Sequence, residues 1–227
     1  MLVKEWMSRP AVTISPDASM WTARKKMNSD SISVLPVIEE GKLKGMLTDR
    51  DLARAEASDA TSLSVHELTY LLDKVKVRNI MHTNPVTIDF DATLSEAANT
   101  FLESNAYALP VMSGEGTLMG ILTRSDLGRA FLTLTSFGRR GIQIGLTIGN
   151  RPGAVLGIIA AVGKAGARLA SLISTDGHDQ SFRNVFLHIY QVDRDKLPRL
   201  IDQFRLKGTL LYTADLKTGE RKIFNQN

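Results

Sequence analysis

The alternation of apolar and polar positions occurs twice along the first 135 residues of the chain. In each copy a short apolar stretch (Ala11–Ile14; Val86–Ile88) leads into helical spacing, then into a stretch ending in Leu-Pro-Val, a glycine turn and another apolar stretch. This pattern predicts the order β, α, β, β, α in both copies. When the chain is shifted against itself by 74 residues, and by 75 after the glycine turn, 18 of 47 aligned positions are identical. Neither copy is long enough to bury its apolar face well, so we expect the two to pack as one module.

The helices of the two copies are predicted at Met20–Asn28 and Leu94–Ser104, and the strands after the glycine turns at Lys42–Leu47 and Thr117–Leu122. Between the copies, apolar residues recur at helical spacing after a Ser-x-x-Glu capping box that starts at Ser64. This stretch predicts an amphipathic linker helix.

The pattern changes at Gly141. Alternating apolar residues predict strands in GIQIGLTI, ARLASLIST, FRNVFLHIYQV and TLLYTADL, and helices in AVLGIIAAVG and DKLPRLIDQFRLKG. The order β, α, β, β, α, β is typical of a ferredoxin-like domain, so the whole chain is predicted to be a mixed α/β (α+β) protein. The predicted divisions are a first repeat (1–57), a linker helix (58–76), a second repeat (77–135), a short linker (136–140), a C-terminal domain (141–216) and a polar tail (217–227).

A Thr-x-x-Asp motif follows the second strand of each repeat, in GMLTDRD and GILTRSD. Thr48 stands at the strand-to-helix turn and Asp51 in the first helical turn, so a hydroxyl, a carboxylate and free helix amides lie close together. A carboxylate accepts both hydrogens of a ribose diol, whereas a helix N-terminus and the adjacent Arg50 favour phosphate. Apolar residues nearby provide flat walls for a purine. The candidate ligand-binding residues are Thr48, Arg50, Asp51, Thr123, Arg124, Asp126, Val12, Ile14, Pro36, Val86 and Pro110.

The same motif has a purely structural interpretation. Thr48 and Thr123 are also suitable helix N-caps, with Asp51 and Asp126 three residues later as the second half of a capping box. A duplicated fold would keep such a box in both copies. The capping position prefers Glu or Gln, however, and both copies have Asp, which favours a ligand-binding role.

The repeated pattern h-x-x-LPV…G-h-h-T-x-x-D resembles a tandem pair of cystathionine-β-synthase (CBS) domains, the Bateman module. The resemblance covers residues 1 to about 135 and implies that adenosine-containing ligands bind in clefts between the repeats and regulate rather than react. The regulatory ligand it implies is an adenine nucleotide (AMP, ADP or ATP) or S-adenosylmethionine. The linker sequence SVHELTYLLDKVKVRNIM is similar to that of the bacterial acetoin-utilisation CBS-ACT proteins. This resemblance implies a role in acetoin or acetate metabolism.

The turn NRPGAVLGII resembles the D-x-PG-x-L signature of ACT domains, which are small regulatory modules. This resemblance covers residues 141–216 and implies amino-acid binding at Asn150, Pro152 and Gly153, although Asn150 stands where the family usually has Asp. In the alternative interpretation Asn150 caps the following helix and Pro152 and Gly153 only make the turn. ACT domains tend to pair through their sheets, so the resemblance also implies a homodimer.

Composition and charge exclude several classes of function. The chain has no cysteine, which excludes disulfides, thiolate metal sites and cysteine nucleophiles. Its charge is −3 over residues 1–136 and +7 over residues 137–227, but no basic run within residues 137–227 exceeds two residues, so we expect a solvated surface rather than a nucleic-acid interface. The N-terminus lacks the apolar core of a signal peptide and no stretch is long enough to span a membrane, which indicates a cytoplasmic protein.

The chain contains no recognisable catalytic arrangement. Its four histidines (His66, His82, His178 and His188) do not have metal-ligand spacing, and nucleophile-elbow, P-loop and dinucleotide motifs are absent. We therefore expect neither an enzyme nor a bound metal. His188 lies in the middle of a predicted strand, where a surface or interface position is expected.

These features lead to two hypotheses. In the first, the chain is a regulatory sensor that binds an adenosine ligand in the repeated module and passes its state through the C-terminal domain or the dimer to a regulated protein. In the second, the repeated module is only a dimerisation scaffold, and the C-terminal domain senses an amino acid or docks a partner.

Overall fold

The computed structural model describes residues 1–59 and 73–224, which belong to two compact units, Met1–Gly128 and Arg129–Asn227. Most of the predicted linker helix (58–76) lies outside the described residues. Within the part of the chain that is described, no helix is long and apolar enough to cross a membrane.

The two repeats form similar sets of elements. The first repeat forms helix α1 (Met20–Asp30), strands β1 (Val34–Glu39) and β2 (Lys42–Thr48) and helix α2 (Asp49–Asp59). The second repeat forms strands β3 (His82–Thr83) and β4 (Ile88–Asp89), helix α3 (Leu94–Ser104), strands β5 (Ala108–Met112) and β6 (Leu118–Thr123) and helix α4 (Arg124–Leu134). The strand expected at Ala11–Ile14 is wrong in extent, because only Ile14 pairs, in a single parallel bridge with Val37.

Each repeat supplies a short segment to the sheet of the other. Strand β3 of the second repeat pairs with β2 of the first, opposite Gly45 and Met46. In return, Ser8 of the first repeat forms an antiparallel bridge with Ile121 in β6. This mutual pairing joins the two copies within the N-terminal unit.

Two equivalent glycines make the exchange possible. A Cβ atom at Gly45 would lie 2.6 Å from the carbonyl oxygen of His82, and one at Gly120 would lie 2.6 Å from that of Ser8. No side chain fits at that separation. The glycine that opens each GMLT-like stretch is therefore required by the segment from the other repeat.

The core of the first repeat includes a residue from the second. Met20, Leu35, Leu47 and Val77 are fully buried together between the helices and the sheet. Burial of this kind stabilises by about 1.5 to 3 kcal/mol for each large side chain. The contribution of Val77 agrees with the expectation that the two copies share their packing.

The helices of the two repeats begin and end alike. Ser19 and Thr93 are N-caps whose hydroxyls accept backbone hydrogen bonds, from Thr22 and Glu96 respectively. Helix α1 is followed by Ser31 and helix α3 by Asn105, both in the left-handed conformation. These turns place residues 31–33 and 105–107 at equivalent positions before the strands β1 and β5.

The C-terminal unit has the predicted order β, α, β, β, α, β. Its elements are β7 (Ile142–Gly149), α5 (Ala154–Lys164), β8 (Arg168–Asp176), β9 (Phe182–Tyr190), α6 (Leu197–Arg205) and β10 (Gly208–Asp215), with an additional strand β11 (Arg221–Ile223). The sheet is antiparallel, in the order β11-β10-β7-β9-β8. Within the segment predicted as a polar tail (217–227), Arg221–Ile223 form β11, which pairs along β10 and extends the sheet.

Strand β7 supplies the centre of the C-terminal core. Ile142, Ile144, Leu146 and Ile148 are at most 2% exposed, because alternate residues of a strand point to the same face. His188 in β9 is also buried, whereas the sequence predicts a surface or interface position. Its Nδ1 lies 3.2 Å from the carbonyl oxygen of Thr135, and its Nε2 has no hydrogen-bond partner among the residues that the structure describes.

Candidate functional site

Both Thr-x-x-Asp motifs form complete capping boxes. The backbone N–H of Thr48 donates to Asp51 Oδ2 at 2.9 Å, and the backbone N–H of Asp51 donates to Thr48 Oγ1 at 3.3 Å. In the second copy the corresponding distances for Thr123 and Asp126 are 2.7 Å and 3.3 Å. The argument that Asp disfavours this arrangement is therefore wrong: the shorter carboxylate reaches the N-cap, and it also accepts from the threonine hydroxyl at 2.6 Å in both copies.

The two motif carboxylates are buried behind their threonines. Asp51 is 6% exposed and Asp126 is 1% exposed. The second oxygen of Asp51 also lies 2.8 Å from Nε2 of His82, which the second repeat contributes through β3. In this conformation the carboxylates hold the first turns of α2 and α4 in place rather than facing solvent.

A cleft of about 660 Å³ opens in the N-terminal unit beside the second motif. Thr123, Arg124 and Ser125, at the start of helix α4, form one wall, and Arg50 reaches it from the first turn of α2. The other lining residues belong to the N-terminal segment, to the two turns after α1 and α3, and to β1 and β6: Ser8, Pro10, Ala11, Val12, Ser31, Ile32, Ser33, Val34, Asn105, Tyr107 and Ile121.

The two arginines of the cleft bind the same short segment. Arg50 donates from Nη2 to the hydroxyl of Tyr107 at 3.0 Å, and its guanidinium carbon lies 4.5 Å from the centre of the Tyr107 ring. Arg124 donates from Nη2 to Oδ1 of Asn105 at 3.0 Å and to the carbonyl oxygen of Phe101 at 3.3 Å. Residues 105–107 therefore bring together two cations that come from different repeats.

The electrostatic character of the cleft is positive. Among the described residues that line it, two are arginines and none is an aspartate or glutamate. The first residues of helix α4 also line the cleft, and the N-terminus of a helix carries partial positive charge. The half-exposed ring of Tyr107 and the apolar Val12, Val34 and Ile121 provide flat surface beside these charges. The arrangement suits a molecule with an anionic group and a flat apolar part.

The structure brings together only some of the predicted site residues. Val12, Arg50, Thr123 and Arg124 line the cleft. The other predicted residues lie elsewhere: Thr48, Asp51 and Asp126 within the capping boxes, Ile14, Pro36 and Pro110 buried in the interior, and Val86 exposed at the position equivalent to Val12.

The prediction from sequence did not include the segment 105–107. Asn105 and Tyr107 align with Ser31 and Ser33 of the first repeat, and all four residues line the cleft. The alignment of the repeats contained this correspondence. No local motif marks these residues, however, because only the tertiary structure brings them to the cleft and to the two arginines.

The predicted amino-acid site lies on the loop before helix α5. A small cavity of about 300 Å³ is lined by residues 150–156 and Arg183. The expectation that Asn150 caps α5 is wrong, because the N-cap is Gly153 in the left-handed conformation with no side-chain bond. Asn150 instead donates to the carbonyl oxygen of Gln180 at 3.0 Å and joins this loop to the β8–β9 turn.

Another cavity in the C-terminal unit, of about 320 Å³, contains a strong ion pair. Arg194 binds both carboxylate oxygens of Asp215, with Nη2 and Oδ1 separated by 3.1 Å. These hydrogen bonds lower the pKa of Asp215 to about 2, against an ordinary value of 3.8. Within the described ranges no group of three or more His, Asp or Glu side chains is placed to hold a metal ion.

Comparison with known proteins agrees with the fold of the N-terminal unit. The family model of the CBS domain matches residues 3–58 and 77–133. A CBS domain-containing protein of Dictyostelium discoideum is 41% identical over 128 residues, which cover 56% of this chain and 88% of the relative. The chain therefore belongs to the CBS domain proteins, and the prediction of a tandem CBS pair is confirmed.

Two solved structures are similar to the same part of the chain. The CBS domain pair of protein MJ0100, in complex with 5′-methylthioadenosine and S-adenosyl-L-methionine, is 29% identical, with a TM-score of 0.50 over 58% of this chain and 95% of that chain. A Vibrio cholerae protein named AcuB, for acetoin utilization, is 25% identical, with a TM-score of 0.51 over 60% of this chain and 93% of that chain.

Proposed function

We propose that this chain is a regulatory protein that binds an adenosine-containing ligand, an adenine nucleotide or S-adenosylmethionine, in the cleft of its CBS pair. The observation that supports this proposal most directly is the cleft at Thr123, with its two arginines, its helix N-terminus and its flat apolar surface. A solved relative of the CBS pair binds adenosine compounds. CBS pairs are typically regulatory modules, which agrees with this role.

The C-terminal unit then transmits the ligand state. We propose that residues 141–216 form an ACT-like domain of ferredoxin-like fold, on the basis of their element order, their sheet order and the NRPGAVL turn. Helix α4 starts at the cleft, and the segment after it contacts the C-terminal sheet: Ser136 donates to the carbonyl oxygen of Ala170 at 3.1 Å, and Arg139 stacks on Tyr190. We propose further that the chain forms a homodimer, regulates a protein partner, is located in the cytoplasm and acts in acetoin or acetate metabolism.

Calorimetry on the whole chain with AMP, ADP, ATP, S-adenosylmethionine and common amino acids tests the proposal. A ligand at one hundred times its Kd stabilises the fold by about 2.7 kcal/mol, which gives a visible thermal shift. In the variant Ser125→Trp the indole fills the cleft, and we expect it to abolish binding of the adenosine ligand. Ser95→Trp is the matched control, because Ser95 is exposed on α3 and does not line the cleft. Unchanged binding by Ser125→Trp contradicts the proposal.

A second candidate function is favoured by the buried motif carboxylates. Asp51 and Asp126 are both satisfied by their own capping boxes, as a purely structural module requires. The CBS pair would then be a scaffold, with an amino acid bound at the loop of Asn150 and Gly153. In that case an amino acid shifts the melting temperature, no adenosine compound does, and Ser125→Trp leaves the amino-acid response unchanged.

A further inference from the structure

We infer that the cleft at Thr123 binds nucleotides through their phosphate groups and discriminates against the cationic S-adenosylmethionine, with Arg50 and Arg124 as the specificity-determining residues. This inference rests on the proposed binding of an adenosine ligand. It narrows the ligand to one charge class, nucleoside phosphates, and assigns that selection to two named side chains.

The guanidinium groups of Arg50 and Arg124 meet at one place. Each comes from the first turn of a different helix, and each binds the segment 105–107. Arg50 stacks on Tyr107 while its Nη2 binds the hydroxyl, and Arg124 is held by a side-chain amide and a backbone carbonyl. Groups held in this way lose little conformational freedom when they bind a ligand.

The positive charge of the two arginines is not neutralised by a carboxylate among the described residues. Arg50 and Arg124 hydrogen-bond only uncharged oxygens, and neither forms an ion pair with a carboxylate among the residues that the structure describes. The partly exposed guanidinium groups keep donors for a further acceptor, since each has five N–H groups. A phosphate carries about −1.5 to −2 charges near neutral pH and matches this geometry.

The charge of the cleft also disfavours cationic ligands. S-adenosylmethionine carries a sulfonium and an ammonium group against a single carboxylate, so its net charge is positive. In a cleft with two arginines and a helix N-terminus, that charge is repelled. The buried carboxylates of Asp51 and Asp126 do not line the cleft and provide little compensation there.

The test compares two matched pairs of ligands on the full chain by calorimetry at low salt. AMP and adenosine differ only in the phosphate, whereas S-adenosylmethionine differs from 5′-methylthioadenosine in its charged amino-acid part and in the positive charge on its sulfur. We expect AMP to bind at least about tenfold more tightly than adenosine, the usual effect of a charge-assisted hydrogen bond. S-adenosylmethionine should bind no more tightly than 5′-methylthioadenosine.

Variants assign the effect to the two arginines. Arg50→Ala and Arg124→Ala should each weaken the binding of AMP, so that its Kd approaches that of adenosine, while the Kd for adenosine stays within about twofold of its value in the unchanged protein. Arg54→Ala is the matched control, since it removes the same charge from the exposed side of α2, away from the cleft, and should leave the preference unchanged. Tryptophan fluorescence establishes that each variant is folded.

The outcomes separate this inference from the proposed function. Tight binding of S-adenosylmethionine with weak binding of AMP overturns the inference and leaves the proposed function standing. An AMP preference that survives both arginine substitutions also overturns the assignment. If none of the four compounds binds, the inference fails, and if ADP and ATP do not bind either, the proposed function fails with it.

Discussion

Substitution of Gly120 by alanine tests the strand exchange between the repeats. The added Cβ would lie 2.6 Å from the carbonyl oxygen of Ser8 and 2.8 Å from the sulfur of Met7. Carbon and carbonyl oxygen normally stay about 3.3 Å apart even in close contacts. The two groups must therefore separate by about 0.7 Å.

The nature of the neighbour determines the cost of that separation. The end of the Met7 side chain moves easily, but Ser8 is held by two backbone hydrogen bonds with Ile121, of 2.9 Å and 3.1 Å. Relief of the clash stretches both bonds. We expect Gly120→Ala to lower the free energy of unfolding by about 1 to 3 kcal/mol, the usual cost of overpacking. Gly45→Ala should behave alike, because its Cβ meets the carbonyl oxygen of His82.

Gly128 provides the matched control. It lies inside helix α4, and a Cβ there has no atom within 4 Å. Gly128→Ala should stabilise the unit by about 0.5 to 1 kcal/mol, because alanine favours the helix and restricts the unfolded chain. The same chemical change is thus expected to have opposite signs at two positions eight residues apart.

Urea denaturation followed by tryptophan fluorescence measures these changes. The only two tryptophans of the chain, Trp6 and Trp21, belong to the N-terminal unit, so their signal reports its unfolding separately from the C-terminal unit. The midpoint should fall for Gly120→Ala and rise for Gly128→Ala. If both midpoints rise by a similar amount, the close approach of Ser8 to β6 does not explain the glycine and the reasoning is refuted.

Two further predictions concern stability. The depressed pKa of Asp215, about 2, means that its ion pair stabilises the C-terminal unit above about pH 4 and that this stability is lost as the pH falls toward 2. Asp215→Asn should therefore lower the free energy of unfolding of the C-terminal unit by about 1 kcal/mol at pH 7, a value reduced for solvent screening, and should leave it unchanged near pH 2. Amide exchange in β10 measures this difference. An Asp215 carboxyl group that titrates at 3.8 by NMR would contradict the prediction. Thr123→Ala should destabilise the N-terminal unit by about 1 kcal/mol through loss of the helix cap, whereas Thr123→Ser should retain the cap. Equal urea midpoints for the two variants would show that the cap contributes nothing to stability.

Much of the architecture could be predicted from the sequence because it depends on local patterns. Alternation along Ile142–Gly149 and helical spacing at Leu94–Ser104 placed those elements closely. The internal repeat revealed the duplicated module, since both copies preserve the same apolar positions and the same turn. The Thr-x-x-Asp capping boxes were also visible in the sequence. The preference for a ligand role over capping rested on residue type and on the family resemblance, whereas the geometry of Thr48 and Asp51 forms the cap.

The site itself depends on pairings that no local pattern encodes. The sequence places Arg50 and Arg124 far apart, and only the tertiary fold brings both to the segment 105–107. The burial of Ile14, Pro36 and Pro110 has the same origin, because a residue near a motif faces the core or the cleft according to how its strand packs.

The sequence by itself thus determined the elements, the repeat and the chemical groups available in each copy, since these follow from propensity and periodicity along the chain. The tertiary structure decided which of those groups share a cleft. The exchange of Ser8 and of His82–Thr83 between sheets places each repeat against the other, at two glycines that leave room for a passing backbone. Contacts between distant segments arise only when both surfaces are formed, and for that reason the positive cleft at Thr123 is a property of the folded pair of repeats rather than of either repeat alone.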